Sequence, residues 1–416
     1  MTRLSTSFHR HIGAALLPAV LVCVGLAPAA KPLQVDEKRP KRAKFGSSLK
    51  RLQWDEAKQA AVERVGQTKS RDLLSDDAIK LDTLLVLFDL LVVTGDKQQI
   101  VKGLKRDDFI VIEDGRPQQV AALAMGDDAT RPRSIILIID YSSSQAPYLK
   151  TSIEAAKTLV GKLSSQDEMA IVTDDVEMLV DFTRDRKKLV STLDKIKKRV
   201  FDKHDHGKSL QFTALFAALR ELTGYESTRP IIIFQTDGDE AAAFRDQPEA
   251  DRFAFLRGEM PSPDYGLSDI YNAAEKSQAT IYSVVTNQRL IGLPSEEFKK
   301  QVAELLSARG FIRPGESVSP QRASLIRLYA EVFRQGQLAT VRVATITGGW
   351  TAWLERPDQA DNIYSQILSD INQRYIIGYY PANSVRDGKL RKVEIQVKGH
   401  PEYKVHGRAS YYAPER

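Results

Sequence analysis

Three short apolar runs, Ile135–Ile139, Ile231–Phe234 and Thr280–Val285, constrain this chain more than any other feature. A strand with one wet face alternates apolar and polar residues, whereas a run without alternation must be covered on both faces. Helical spacing fills the intervals at Tyr148–Leu163, Lys187–Lys198 and Ala214–Leu222, and shorter strands are expected at Met169–Thr173 and Met178–Phe182. Buried strands separated by helices predict an α/β fold with a doubly wound, mostly parallel sheet. Gly348-Gly349, a strand at Trp350–Leu354 and a helix over Asp361–Arg374 complete this domain, which spans 133–374. Residues 287–335 read as an irregular insertion with helical pieces. In sheets of this kind, ligands bind beyond the carboxyl ends of the strands.

The flanks are different. From Ile79 to Val93 the residues are β-branched and aliphatic. Phe109–Glu113, the turn at Asp114-Gly115 and Gln118–Leu123 then read as a hairpin. Tyr375–Tyr380, Val393–Val397 and Lys404–Tyr412 form a second β segment. Units of about fifty residues bury too little surface to be stable alone. The β unit at 79–128 and the β segment at 375–413 are therefore expected to pack together, with the α/β domain inserted between them.

Residues 1–29 read as a signal peptide. Arg3 and Arg10 precede an apolar run from Ile12 to Leu26, and Ala27-Pro28-Ala29 is a small-x-small cleavage site. The competing reading is a retained anchor, although about fifteen apolar residues fall short of the roughly 20 that span a bilayer. After cleavage no transmembrane span is expected, and the chain is placed outside the cytoplasm, secreted or periplasmic. The single cysteine, Cys23, lies in this segment. The mature chain then has no thiol chemistry and no Cys-ligated metal. Residues 30–78 read as a charged linker with one helix, since Trp54–Val65 has helical spacing. The net charge of +6 comes from 60 Lys and Arg interleaved with 54 Asp and Glu, so nucleic acid is not an expected partner.

The chemistry hangs from the strand ends. Asp140, Ser142 and Ser144 follow the first apolar run as D-x-S-x-S, Thr213 opens a helix, and Asp237 follows the second run as T-D-G. All five are hard oxygen donors placed where a doubly wound sheet presents its loops. They suit a small divalent ion in octahedral oxygen coordination. The bland alternative is a Ser-rich, Asp-capped helix start. His204-x-His206 is either an accessory metal ligand or part of a solvated turn. The acidic pairs Asp174-Asp175 and Asp239-Glu240 either add negative field near a cation or cap helices.

The five donors resemble the metal-ion-dependent adhesion site of von Willebrand factor A domains. The resemblance implies that Asp140, Ser142, Ser144, Thr213 and Asp237 bind Mg²⁺ or Mn²⁺ and leave a position open for an Asp or Glu carboxylate of a protein ligand. Two positions depart from the family pattern: Ser143 stands where Gly is common, and Gln211 where a Gly often precedes the Thr. Gly103-Leu104, Asp107-Asp108-Phe109, Glu113-Asp114-Gly115 and Gln118 resemble the hairpin unit of a secreted, VWFA-related family abundant in acidobacteria. Thr347-Gly348-Gly349, Tyr375-Ile376-Ile377-Gly378-Tyr379-Tyr380-Pro381 and Gly407-Arg408-Ala409-Ser410-Tyr411-Tyr412 resemble its C-terminal signature.

Two common enzyme motifs are absent from the sequence. There is no G-x-S-x-G elbow and no glycine-rich phosphate loop after the first strand. The expected function is a secreted, cation-dependent, adhesion-like protein-binding module and not an enzyme. The alternative is a structural or assembly protein of the cell envelope that does not use the metal site for ligand binding.

Overall fold

Ile135, Leu137 and Ile139 pack into one hydrophobic layer and Ile136 and Ile138 into the opposite one, so a single strand serves two cores. This is the packing that the unbroken apolar run demands. The computed structural model describes residues 52–55, 60–63, 85–96, 99–127, 132–222, 229–244, 246–247, 265–308, 310 and 319–414. The expected signal peptide and most of the expected linker lie outside the described residues.

In chain order the strands are β1 (Leu52–Asp55), β2 (Ala60–Glu63), β3 (Val86–Val93), β4 (Phe109–Glu113), β5 (Arg116–Gln118), β6 (Val120–Met125), β7 (Arg133–Ile139) and β8 (Glu168–Thr173). They continue with β9 (Glu177–Thr183), β10 (Arg229–Thr236), β11 (Thr280–Thr286), β12 (Thr351–Leu354), β13 (Tyr375–Tyr379), β14 (Leu390–Val397), β15 (Lys404–His406) and β16 (Ser410–Tyr412). The α-helices are α1 (Ala146–Lys162), α2 (Arg186–Lys203), α3 (Gln211–Leu222), α4 (Leu267–Lys276), α5 (Ser295–Ala308), α6 (Pro320–Ile346) and α7 (Ala360–Gln373).

The central sheet has six strands in the order β12-β11-β10-β7-β8-β9. All neighbours are parallel except β8 and β9. One face carries α1, α2 and α7 through Leu149, Leu193 and Ile367, and the other carries α3, α4 and α6 through Leu215, Ile270 and Val343. From β7 the chain passes to β8 on one side, while β10 pairs with β7 on the other. The strand order therefore reverses between β7 and β10, which opens a crevice at their carboxyl ends.

Strands from before and after this domain pair directly. One four-stranded sheet has the order β15-β3-β13-β6 and the other β16-β14-β4-β5. Tyr375 of β13 stands opposite Met125 of β6 and Leu90 of β3, while Val393 of β14 faces Glu113 of β4. The two sheets share a core that includes Phe88, Leu90, Val111, Ile377, Tyr379 and Val393. Glu113 is buried beside them, and the hydroxyls of Tyr379 and Tyr411 donate to its Oε2 at 2.8 and 2.9 Å.

One sequence expectation is corrected. The helix expected over Trp54–Val65 is instead an antiparallel pair, β1 with β2, in which Trp54 is in register with Ala61. A dozen residues with few apolar positions fit both periods, and an isolated helix of that length is marginal in water. Within the insertion expected at 287–335, residues 320–335 belong to α6, a 27-residue helix that continues unbroken into the domain core. The first half of the insertion holds α5, and the two helices bury a small core of their own around Leu290, Leu306 and Phe333. Among the described residues, no helix is long and apolar enough to cross a membrane.

Candidate functional site

Asp140 and Asp237 end two adjacent strands. Gln235 of β10 is in register with Ile139 of β7, and the Asp140 backbone N–H donates to the Gln235 carbonyl at 3.1 Å. The two aspartates therefore leave the sheet side by side at the crevice, with Asp140 fully buried and Asp237 nearly so. A short 3₁₀ turn over Ser143–Gln145 carries the D-x-S-x-S segment into α1.

Four of the five expected donors come together here. The Ser142 N–H donates to Asp140 Oδ1 at 2.9 Å, the Ser142 and Ser144 hydroxyls lie 3.2 Å apart, and Ser144 Oγ donates to Asp237 Oδ2 at 2.6 Å. Gln211, in the first turn of α3, reaches between the aspartates. Its Nε2 donates to Asp140 Oδ2 at 2.9 Å and to Asp237 Oδ1 at 3.4 Å.

Thr213 makes its hydrogen bonds elsewhere. Its hydroxyl donates to Glu240 Oε1 at 2.6 Å and accepts from the Tyr265 hydroxyl at 2.5 Å. Glu240 Oε2 also accepts the backbone N–H groups of Phe212 and Thr213, at 2.5 and 3.1 Å. Glu240 thus caps the N-terminus of α3, where a carboxylate meets unsatisfied N–H groups and the positive end of the helix dipole.

Acidic side chains are concentrated in this crevice. Burial, then Asp174 and Asp237, push Asp140 well above the usual carboxylate range. Burial raises Asp174 to about 7 even though it accepts N–H groups from Tyr141 and Ser209. Burial likewise raises Glu240 to about 7, with the hydrogen bonds from Thr213 and Phe212 opposing and Asp140 adding to the rise. Carboxylates in this state favour either a proton or a cation.

A divalent cation fits the four clustered donors chemically. Two aspartates supply its charge balance and two hydroxyls supply neutral oxygens. The buried Gln211 Oε1, which has no hydrogen-bond partner, marks a place where polar satisfaction is incomplete. Among the described residues, no three His, Cys, Asp or Glu side chains are grouped as a metal site. His204 ends α2 in the left-handed region at φ 52°, and the structure groups neither it nor His206 with other metal-binding side chains.

Glu240 and Gln211 were visible in the sequence only as part of an acidic pair and as a departure from a pattern. Tyr265 carried no signal, because the chain brings it to Thr213 from outside any motif.

Residues 135–240 match the family model described as von Willebrand factor type A domain. No curated protein matches the chain. Among solved structures, it is similar to a von Willebrand factor type A protein from Catenulispora acidiphila at 11% identity, covering 81% of this chain and 75% of that one, with a TM-score of 0.34. The vWF domain of the type V pili tip protein Mfa5 from Porphyromonas gingivalis is 13% identical, covering 58% and 96%, with a TM-score of 0.33. The manganese-loaded TRAP protein of Plasmodium vivax is 12% identical, covering 74% and 100%, with a TM-score of 0.31. With the family match lying across β7 to β10 of a six-stranded, mostly parallel sheet, the α/β part of this chain contains a von Willebrand factor A domain.

Proposed function

We propose that the chain is an exported, cation-dependent protein-binding module, of the secreted VWFA-related kind its flanking motifs resemble. One observation carries this reading. Two buried aspartates leave adjacent strand ends at the strand-order reversal, where the Ser142 N–H bonds Asp140, the Ser144 hydroxyl bonds Asp237 and the Gln211 amide bonds both. Taking carboxylates out of water is unfavourable, and a bound cation offsets that cost.

Asp140, Ser142, Ser144 and Asp237 would hold Mg²⁺ or Mn²⁺, with Thr213 joining once Glu240 releases its hydroxyl. The bound ion would supply an electrophilic position for a carboxylate of the partner. The chain's own contribution is charge balance: two carboxylates and neutral hydroxyls leave the ion attractive to a further anion, which a third direct carboxylate would quench. Glu240 serves that balance by staying on the α3 terminus.

A second reading has an observation of its own. Gln211 and Glu240 satisfy much of the site without a cation, as expected of an envelope structural protein that does not use it. Calorimetric titration of the full chain and of Asp140→Ala with Mn²⁺ separates the two. The binding-module reading expects the variant to lose at least about tenfold in affinity. Equal affinity in both proteins, or no binding in either, would overturn it.

A further inference from the structure

We infer that Gln211 is a built-in stand-in for the cation, which holds the two aspartates together when no ion is bound and sets the threshold for ion binding. The inference rests on the cation-binding reading above and concerns what competes with the ion.

Gln211 is 1% exposed, so its amide is cut off from bulk water. Its two ends are treated differently. Nε2 lies within hydrogen-bond distance of one oxygen from each aspartate, whereas Oε1 is buried with no partner. An amide can turn over at little torsional cost, so its orientation follows its surroundings. Turned over against ionised carboxylates, Oε1 would face two of their oxygens and be repelled by both. The amide keeps its donor end inward and leaves its acceptor unsatisfied. Leaving a buried acceptor unmade is unfavourable, and here it is outweighed by two donations to carboxylates, which are stronger than neutral hydrogen bonds.

The oxygens that Gln211 occupies, Asp140 Oδ2 and Asp237 Oδ1, belong to the same two carboxylates that would bind the ion. A cation held by those oxygens would compete with the amide for them. Gln211 also lies two residues before Thr213 in the first turn of α3, so the placeholder and the donor held by Glu240 share one turn of helix.

The test uses the full chain, with Mn²⁺ alone as the probe. Calorimetric titrations compare wild type with Gln211→Ala, and melting is followed in chelator and in saturating Mn²⁺. Gln211→Ala should bind Mn²⁺ about tenfold more tightly, the scale of one charge-assisted hydrogen bond. It should also melt lower than wild type in chelator and gain more from Mn²⁺. Gln211→Ser is the second variant should the alanine form not fold, and the same direction is expected. Adding Asp140→Ala should abolish the gain, which ties the heat to this site.

Binding by Gln211→Ala that is equal to wild type overturns the inference and leaves the cation reading standing. Weaker binding also overturns it, because Gln211 would then be helping to hold the ion. Silence in both proteins overturns the inference together with the reading on which it rests.

Discussion

Arg374 Nε donates to Asp89 Oδ1 at 2.7 Å, joining the residue just past α7 to the middle of β3. Arg229, at the start of β10, donates to both oxygens of the same carboxylate. Arg374 is fully buried and also donates to the carbonyls of Asp89, Gly348 and His406. One aspartate of the four-stranded sheet thus anchors two arginines of the α/β part.

Removing that aspartate should be costly. Asp89→Ala leaves two buried guanidinium groups facing a vacated position, and breaking a buried ion pair from one side typically costs about 3–5 kcal/mol. Urea unfolding of the variant should show a lower midpoint, with a loss of that order. A loss below about 1 kcal/mol, the scale of an exposed pair, would show that the arginines find other partners.

The same group predicts an acid response. Burial alone would raise Asp89, but Arg229 and Arg374 outweigh it and hold the carboxyl below its ordinary value of 3.8. The folded state therefore binds this proton less readily than the unfolded chain. Its stabilisation is present above pH 3.8 and is lost as pH falls through the lower folded value. Melting temperatures measured from about pH 5 downward should fall more steeply for wild type than for Asp89→Asn, which has no proton to take up there. Parallel curves would contradict the assignment.

A third prediction concerns the approach of α6 to the site loop. A Cβ added at Gly336 would run into the Gly238 carbonyl oxygen. Backbone cannot yield as a side-chain tip can, so Gly336→Ala should destabilise by about 1–3 kcal/mol, the usual cost of overpacking. Gly161→Ala is the control. Nothing lies within 4 Å of its added Cβ, and it sits in α1. That change should stabilise by about 0.5–1 kcal/mol, the helix cost of glycine. Thermal melts of the two variants should move in opposite directions, and a harmless Gly336→Ala would show that loop and helix separate easily.

The legible part of the fold is the part where burial leaves a mark on composition. Ile135–Ile139 and Ile231–Phe234 are apolar without interruption because helices cover both faces, and they become the central β7 and β10. Trp54–Val65 carries no such mark, and its spacing points to a helix where the chain forms β1 and β2. The continuity of α6 was hidden for a different reason. Its polar residues, such as Gln337, turn inward to bond the Gln288 carbonyl and the Leu290 N–H, so the helix lacks a clean apolar stripe. At the candidate site, the chain positions of Asp140 and Asp237 follow from strand ends. That Thr213 turns to Glu240 and Tyr265 depends on side-chain packing between distant segments, which spacing does not encode.

Tyr375 and Met125 are register partners, so the two chain crossings into the α/β part lie side by side on neighbouring strands. A load applied at the carboxyl ends of β7 and β10 would reach both crossings together, drawing β6 and β13 in the same direction. The resistance falls on the ladder between β13 and β3, which runs from Tyr375↔Leu90 to Tyr379↔Val86 and is loaded along the strands. Its hydrogen bonds lie across the strands. In that shear geometry they bear the force in parallel instead of opening one after another, and Arg374 and Arg229 pin Asp89 within the same ladder.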